Sequence, residues 1–138
     1  MQIIFFDIII SSEIIEHIYD TDFFLQEIFR ILKPDGKLLI TTPNVASFGR
    51  RIMLFLGLNP LIETSVDQGN SGHIRYFTFK SLKRLLNKNG FKIIKKHSDV
   101  INFNNFGTLK THSLPKYLFN FGQSIIYLTQ KNENRKKY

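Results

Sequence analysis

Two acidic side chains and an imidazole follow one another at a spacing that a helical turn gathers onto one face. Glu13, Glu16 and His17 form the pattern E-x-x-E-H. Residues three and four positions apart share a face of a helix, so such a turn would bring the three groups together. Like charges held close together need a cation or hydrogen bonds to relieve them. The motif therefore predicts either a site for Mg²⁺, Mn²⁺ or a similar hard ion, or a helix start whose acids form hydrogen bonds.

Histidines are the other candidates for chemistry in this sequence. His17 and His73 could each act as a general base, because an imidazole near its ordinary pKa exchanges protons at neutral pH. His73 lies in the segment G-H-I-R-Y-F-T (residues 72–78) and could instead pack on Tyr76 as a loop residue. Arg75 could hold an anionic substrate group or simply face water.

The segments around these residues are typical of an α/β unit. Residues 3–10 are apolar on both faces, which predicts a buried strand of a parallel sheet. A helix is expected over 20–32, ended by the turn at 33–36, and a second strand over 37–42. The two strands then deliver E-x-x-E-H and Asn44 to the carboxyl edge of the sheet, where α/β folds bind ligands. Asn44 either lines a substrate pocket there or serves as a turn residue.

The remaining segments extend this order to β-α-β-(α, loop)-α-β-(loop)-β, an α/β layer architecture. Residues 45–77 are irregular and are expected to form a substrate lid or insert. The expected elements of this part are a short helix over 47–56, a loop over 57–72, a helix from Thr78 to about Asn89, strands over 91–100 and 123–130, and a short helix over 114–121.

Composition excludes several classes of function. The 138 residues contain no cysteine, which rules out disulfides, thiolate zinc sites and cysteine nucleophiles. No stretch reaches the roughly 18 apolar residues of a membrane span, and residues 3–10 lack the flanks of a signal peptide, so a cytoplasmic protein is expected. The segment R-R-I-M-L-F-L (residues 50–56) could touch a membrane surface or form a lid or core helix.

The net charge of +8 is unevenly distributed. Residues 75–97 carry eight Lys or Arg and no acid, and residues 132–138 form a basic tail that is expected to be disordered. Such a stretch is either a solvated helix face or a phosphate track for nucleic acid, and we favour solvation, so nucleic acid is not the expected partner.

The ordered set of motifs resembles class I S-adenosylmethionine-dependent methyltransferases. Their fourth strand, the helix after it and their fifth strand are matched by F-D-I-I-I-S-S-E-I-I-E-H-I (6–18), F-L-Q-E-I (24–28) and L-K-P-D-G-K-L (32–38). T-P-N (42–44) and G-H-I-R-Y-F-T (72–78) are similar to a subgroup acting on quinone precursors, small molecules and surface glycans. The resemblance covers about residues 5–95 and implies methyl transfer to oxygen or nitrogen of a small molecule or a glycan or lipid precursor.

The resemblance also implies roles for particular residues. Ser11 and Ser12 stand where that family's chain passes S-adenosylmethionine, with Ser12 near its methionine part, although a strand-ending turn explains them equally well. In quinone-precursor and small-RNA O-methyltransferases the E-x-x-E-H motif binds a divalent metal. A distant histidine can complete that site, and His73 is the matching residue. The implied metal ligands are thus Glu13, Glu16, His17 and His73.

One part of the family's pattern is not found in this sequence. The glycine-rich cofactor loop and the ribose-binding acid should precede Phe6 by some 60–80 residues, and no G-x-G-x-x-G occurs elsewhere. The family's strand order is 3-2-1-4-5-7-6, so residues 1–131 are expected to form a partial Rossmann-like sheet of strands 4, 5, 7 and 6 with flanking helices. S-adenosylmethionine binding is then expected to be weak or absent.

Two further functions remain open at this point. The chain could be a non-catalytic remnant or an interaction subunit that pairs with a cofactor-binding chain, or, less favoured, a basic nucleic-acid-binding protein. The strand at 3–10 would lie at an edge with unpaired amides, which are a template for self-association or for a complementing chain.

Overall fold

The fold is built on a four-stranded mixed sheet. The computed structural model describes residues 6–60, 72–103, 110–112 and 118–132. The strands of the sheet are β1 (Phe6–Ser12), β2 (Leu32–Pro43), β3 (Phe91–His97) and β6 (Ser124–Lys131). A separate two-stranded ribbon consists of β4 (Ile101–Asn102) and β5 (Lys110–Thr111). The described helices are α1 (Thr21–Ile31), α2 (Phe48–Phe55) and α3 (Phe79–Lys88).

The order of the strands is β1-β2-β6-β3. β1 runs parallel to β2, and β6 lies antiparallel between β2 and β3. This order equals strands 4-5-7-6 of the order 3-2-1-4-5-7-6 that the family resemblance implies. The predicted partial Rossmann-like α/β sheet is therefore confirmed. β1 and β3 are the two edges of the sheet.

The crossover from β1 to β2 begins and ends with identifiable local signals. The Asp20 side chain caps α1 by accepting a hydrogen bond from the Phe23 N–H at 2.9 Å. Leu25 and Ile28 of α1 are buried against the sheet. The predicted turn is present, but it lies within β2, because pairing jumps from Phe6–Leu32 to Ile8–Lys37. Asp35 lies in this bulge with φ +60°. Because the paired residues before the bulge belong to the strand, β2 begins five residues earlier than predicted.

The core lies on one face of the sheet, beneath α1 and α3. Alternate residues are buried from Leu38 to the end of β2 and throughout β6, and those between them are half-buried. The buried apolar set comprises Ile15, Leu25, Ile28, Leu32, Leu38, Ile40, Phe77, Phe79, Leu82, Leu86, Phe91, Ile125 and Tyr127. Burial of these side chains against two helices supplies the main stabilisation of the fold.

The second half of the chain follows the predicted order with shorter elements. α3 begins with a capping box between Thr78 and Ser81 and ends at Lys88, followed by the C-cap Asn89 and by Gly90 at φ +88°. β3 ends at His97, three residues earlier than predicted, and α2 agrees with the expected helix over 47–56. Of the expected helix over 114–121, the described part contains a 3₁₀ turn at Phe119–Phe121. Most of the predicted 57–72 loop, the basic tail after Asn132 and residues 3–5 lie outside the described residues.

Candidate functional site

The carboxyl end of β1 turns differently from the prediction. The strand continues to Ser12, two residues beyond the expected end, and Glu13 follows with φ +51° in the left-handed region. Helical geometry begins only at the 3₁₀ turn Ile15–His17. Glu13 therefore precedes the turn and does not share a helical face with Glu16 and His17. Its carboxylate instead accepts a hydrogen bond from Thr41 Oγ1 at 2.8 Å.

Three of the four predicted metal ligands do come together. Potential ligand atoms of Glu16, His17 and His73 all lie within 4.8 Å of one another. His73 Nε2 is 4.0 Å from Glu16 Oε1, and the two imidazole rings are 4.9 Å apart between centroids. Glu16 is 1% exposed, His73 is half-buried and His17 is exposed. We call these three residues the Glu16 cluster.

Backbone hydrogen bonds fasten the His73 segment to the 3₁₀ turn. The N–H groups of Ile74 and Arg75 both donate to the Glu16 carbonyl, at 3.0 and 3.1 Å. The Arg75 guanidinium donates to the carbonyls of Ile18 and Tyr19. Arg75 thus does not merely face water, whereas its contact with an anionic substrate group stays a prediction. It closes the loop that presents His73 to Glu16.

The tautomer of His17 follows from its partner. Its Nδ1 lies 3.1 Å from the Gly72 carbonyl oxygen, and a carbonyl can only accept. Nδ1 therefore carries the proton in the neutral ring, and the lone pair is on Nε2. An exposed Nε2 lone pair can take a proton or bind a metal ion.

The Glu16 carboxylate is half-satisfied. Thr42 Oγ1 donates to Glu16 Oε2 at 2.9 Å, and both side chains are buried. Within the described part of the chain, Glu16 Oε1 has no hydrogen-bond partner. A buried carboxylate oxygen without a donor is unfavourable, and a cation or a protonated His73 would compensate it.

A divalent ion fits this donor set in its chemistry. One carboxylate and two imidazoles face one another, and the Glu16 oxygen nearest His73 is unsatisfied. The set keeps both histidines of the predicted one and lacks the Glu13 carboxylate, so imidazole donors outnumber carboxylate donors. Imidazole ligands favour Mn²⁺ or another transition metal over Mg²⁺, which prefers oxygen.

Hydroxyl groups of β1 and β2 form a second small network beside the cluster. Ser12 Oγ lies 3.0 Å from Thr41 Oγ1, which donates to Glu13. Ser11 is 2% exposed, and its hydroxyl has no partner among the described residues. The predicted contact of Ser11 and Ser12 with a cofactor stays a prediction. The sequence pattern assigned no roles to Thr41 or Thr42, although their position at the end of the second strand places them at the carboxyl edge of the sheet, where the site lies.

The pKa of Glu13 is raised above its ordinary value. Loss of solvation is the largest cause, and the charge of Glu16 adds to it, whereas the hydrogen bond from Thr41 opposes it.

Asn44, expected to line a pocket or form a turn, has its amide engaged with the backbone. Its Nδ2 donates to the carbonyls of Asn120 and Gly122, so it fastens the β2 end to β6.

Comparison with known proteins places these residues in a family context. The sequence pattern of a family described as "Methyltransferase domain" matches residues 5–96. The ubiquinone biosynthesis O-methyltransferase of Bos taurus mitochondria is 32% identical over 88 residues, which cover 64% of this chain and 23% of that protein. The ubiquinone biosynthesis O-methyltransferase of Bartonella bacilliformis is 33% identical over 91 residues, covering 64% and 35%.

Solved structures share the fold. A Thermotoga maritima S-adenosylmethionine-dependent methyltransferase, a possible histamine N-methyltransferase, superposes with a TM-score of 0.63 at 23% identity. The match covers 91% of this chain and 56% of that one. The chain spans only 23% of the length of the Bos taurus ubiquinone biosynthesis enzyme and 35% of the length of the Bartonella bacilliformis one.

Proposed function

The chain belongs to the methyltransferase domain family, and on that premise we propose that it supplies the acceptor side of an O-methyltransferase site. The cofactor of that family is S-adenosylmethionine. The acceptor would be a hydroxyl of a small aromatic molecule, of the class that the ubiquinone biosynthesis enzymes are named for. The observation that carries the proposal is the convergence of Glu16, His17 and His73 around an unsatisfied buried carboxylate oxygen.

The residues of the Glu16 cluster have distinct roles in this proposal. His17 Nε2, exposed and unprotonated in the neutral ring, takes the proton from the acceptor hydroxyl. S-adenosylmethionine supplies a methyl group on a sulfonium, so the acceptor oxygen forms a bond to carbon as the carbon–sulfur bond breaks. The products are a methyl ether, a neutral thioether and a proton on His17. The protein chiefly orients the two reactants for in-line attack.

The negative charge of Glu16, which His73 faces, stabilises the proton that His17 takes up. Glu16, His17 and His73 are the residues that would hold a divalent ion. The ion would lower the pKa of an acceptor hydroxyl and leave His17 unavailable as the base. Without an ion, His73 Nε2 faces Glu16 Oε1 at 4.0 Å, and His17 stays free to act.

A non-catalytic pairing role is the second candidate, favoured by the free edge of the sheet. Ile8 and Ile10 of β1 are 57% and 66% exposed, and among the described strands only β2 pairs with β1. The opposite edge, β3, carries Lys92, Lys95 and Lys96. Lysines on an edge strand commonly prevent its pairing with another chain. This contrast supports a further strand beside β1, from another chain or segment that also brings the cofactor loop.

A chimera tests the proposed reaction. Residues 5–96 of this chain would replace the matched segment of the Bartonella bacilliformis enzyme, and methyl transfer to that enzyme's own acceptor would be measured. We expect activity, reduced at least about tenfold in kcat by Glu16→Gln or His73→Ala. Glu27→Gln, an exposed glutamate paired with Arg30, is the matched control and should leave kcat unchanged. An active chimera that is indifferent to Glu16→Gln and His73→Ala would refute the assigned roles.

A further inference from the structure

The end of α2 carries large apolar side chains that the fold does not bury. We define the apolar tip as Leu54, Phe55, Leu56 and Leu58, whose exposed fractions are 60%, 89%, 63% and 54%. No residue of α2 is buried. Exposure of this much contiguous apolar surface is unfavourable in water and marks a surface that contacts something else.

The apolar tip has a defined shape. Leu58 N–H donates to the Met53 carbonyl at 2.8 Å, and Gly57 N–H donates to the Leu54 carbonyl at 3.0 Å. With Gly57 at φ +73°, this pair of bonds forms a Schellman cap, which turns the chain back and adds Leu58 to the last helical residues. A Cβ added at Gly57 would meet no atom within 4 Å, so the tip projects into open space.

Positive charge lies directly behind the apolar tip. Residues 36–62 contain no acid, and Arg50 and Arg51 occupy the preceding turn of α2. Arg50 donates to the Asn44 carbonyl at 3.1 Å, and Arg51 donates to the Ala46 carbonyl at 2.6 Å. The Arg51 guanidinium also lies over the Phe121 ring, 4.7 Å from its centroid. All these partners are uncharged, so they orient both guanidinium groups without neutralising their charge.

We propose that the apolar tip inserts into the headgroup and acyl boundary of an anionic lipid bilayer. A convex tip of leucine and phenylalanine needs a fluid apolar medium and no preformed pocket, whereas a protein partner would need a matching cavity. The two arginines behind it would meet lipid phosphates, and the chain's charge of +8 adds long-range attraction. The contact is interfacial, because no helix in the described ranges is long and apolar enough to span a membrane. The proposal is independent of the methyltransferase chemistry.

Fluorescence gives a direct test, since the chain contains no tryptophan. Phe55→Trp places a single reporter at the tip, and the protein would be titrated with vesicles of phosphatidylglycerol and phosphatidylcholine in equal parts. We expect a blue shift of the emission, quenching by brominated acyl chains, and binding at least about tenfold weaker to phosphatidylcholine alone. Co-sedimentation of the unmodified chain with the same vesicles provides a measurement without the reporter.

Two charge substitutions distinguish insertion of the apolar tip from non-specific adsorption of the protein to vesicles. Phe55→Glu should reduce co-sedimentation at least about tenfold, because burying a carboxylate in the bilayer boundary is unfavourable. Phe23→Glu on α1, at a phenylalanine that is 62% exposed, should leave it unchanged. Circular dichroism would establish that both variants are folded. An unshifted emission, equal loss in both variants, or a blue shift that grows with protein concentration without lipid would overturn the proposal. The last result would identify a contact between copies of the chain.

Discussion

At the scale of single residues, the buried carboxylate of Glu16 is the least compensated group of the described site. Thr42 supplies its one hydrogen bond, and the backbone of Glu16 anchors the segment that carries His73. A change at Thr42 should therefore affect both the stability of the fold and the geometry of the cluster.

Thr42→Val removes the donor to Glu16 Oε2 and keeps the shape of the side chain. The buried carboxylate would then have two unsatisfied oxygens, so we expect a loss of about 1.5–3 kcal/mol in the free energy of unfolding. Urea denaturation measures it. Thr42→Ser retains the hydroxyl and should recover most of the loss. Equal losses in both variants would point to packing by the threonine methyl group as the cause.

Glu13 should make stability depend on pH in a defined direction. Its pKa is raised in the folded chain, so the folded state binds the proton more tightly than the unfolded state. Stability from this group therefore falls as the pH rises through the range above its ordinary pKa. Glu13→Gln should be more stable than the unmodified chain at about pH 7 and equal to it at about pH 3, as measured by urea denaturation. A gain that is the same at both pH values would exclude ionisation as its origin.

Metal binding by the Glu16 cluster can be measured without any methyl transfer. Bound Mn²⁺ loses the sharp paramagnetic resonance signal of the free ion, so titration of the chain with Mn²⁺ gives an affinity directly. His73→Ala should weaken it by about 10–100-fold, as expected for loss of one ligand. His97→Ala, at an exposed histidine of β3, is the control. Equal affinities for the two variants would restrict the cluster to proton transfer.

At the scale of elements, the two glycines that end α2 and α3 differ in surroundings. Gly57 and Gly90 both have positive φ, but a Cβ at Gly90 would lie 2.8 Å from Phe29, whereas one at Gly57 meets nothing within 4 Å. Gly57→Ala should cost about 1 kcal/mol from backbone strain alone. Gly90→Ala adds overpacking and should cost about 3 kcal/mol. Thermal unfolding of both variants would check this, and equal costs would contradict the predicted clash.

The exposed isoleucines Ile8 and Ile10 of β1 are expected to govern any association of the chain. Replacement of Ile8 and Ile10 by lysine would charge β1 as β3 is charged, and light scattering should show less association. Ile94→Lys on β3, where the original side chain is 41% exposed, serves as the control and should change nothing. Association that persists in the double variant would assign the contact to another surface, the apolar tip first.

At the scale of the whole molecule, cofactor affinity should be low. The sequence contains no G-x-G-x-x-G, and the loop of that type holds much of S-adenosylmethionine in class I methyltransferases. Isothermal titration of the chain should show weak binding or none. Micromolar affinity would reveal a site that the Ser11 and Ser12 region cannot account for alone.

The sequence foretold most of the fold, because its signals were local. Asp20 and Thr78 are side-chain caps, and Leu25 and Ile28 recur at helical spacing, so α1 and α3 could be placed within a residue or two. The order of the strands came from the family resemblance, because nothing in the spacing of β6 says that it inserts between β2 and β3. The site was half predictable. Glu16, His17 and His73 could be named, but the left-handed φ of Glu13 and its bond to Thr41 depend on the neighbouring strand.

The insertion of β6 between β2 and β3 has a consequence for how the chain folds during synthesis. A nascent chain that has emerged as far as His97 contains both neighbours of β6 but not the strand that joins them. Residues 124–131 must leave the ribosome before the sheet can close, so β3 has no neighbouring strand while the intervening segment is made. The sheet is therefore completed late, and the partly built form exposes strand edges to any chaperone or neighbouring chain that reaches them first.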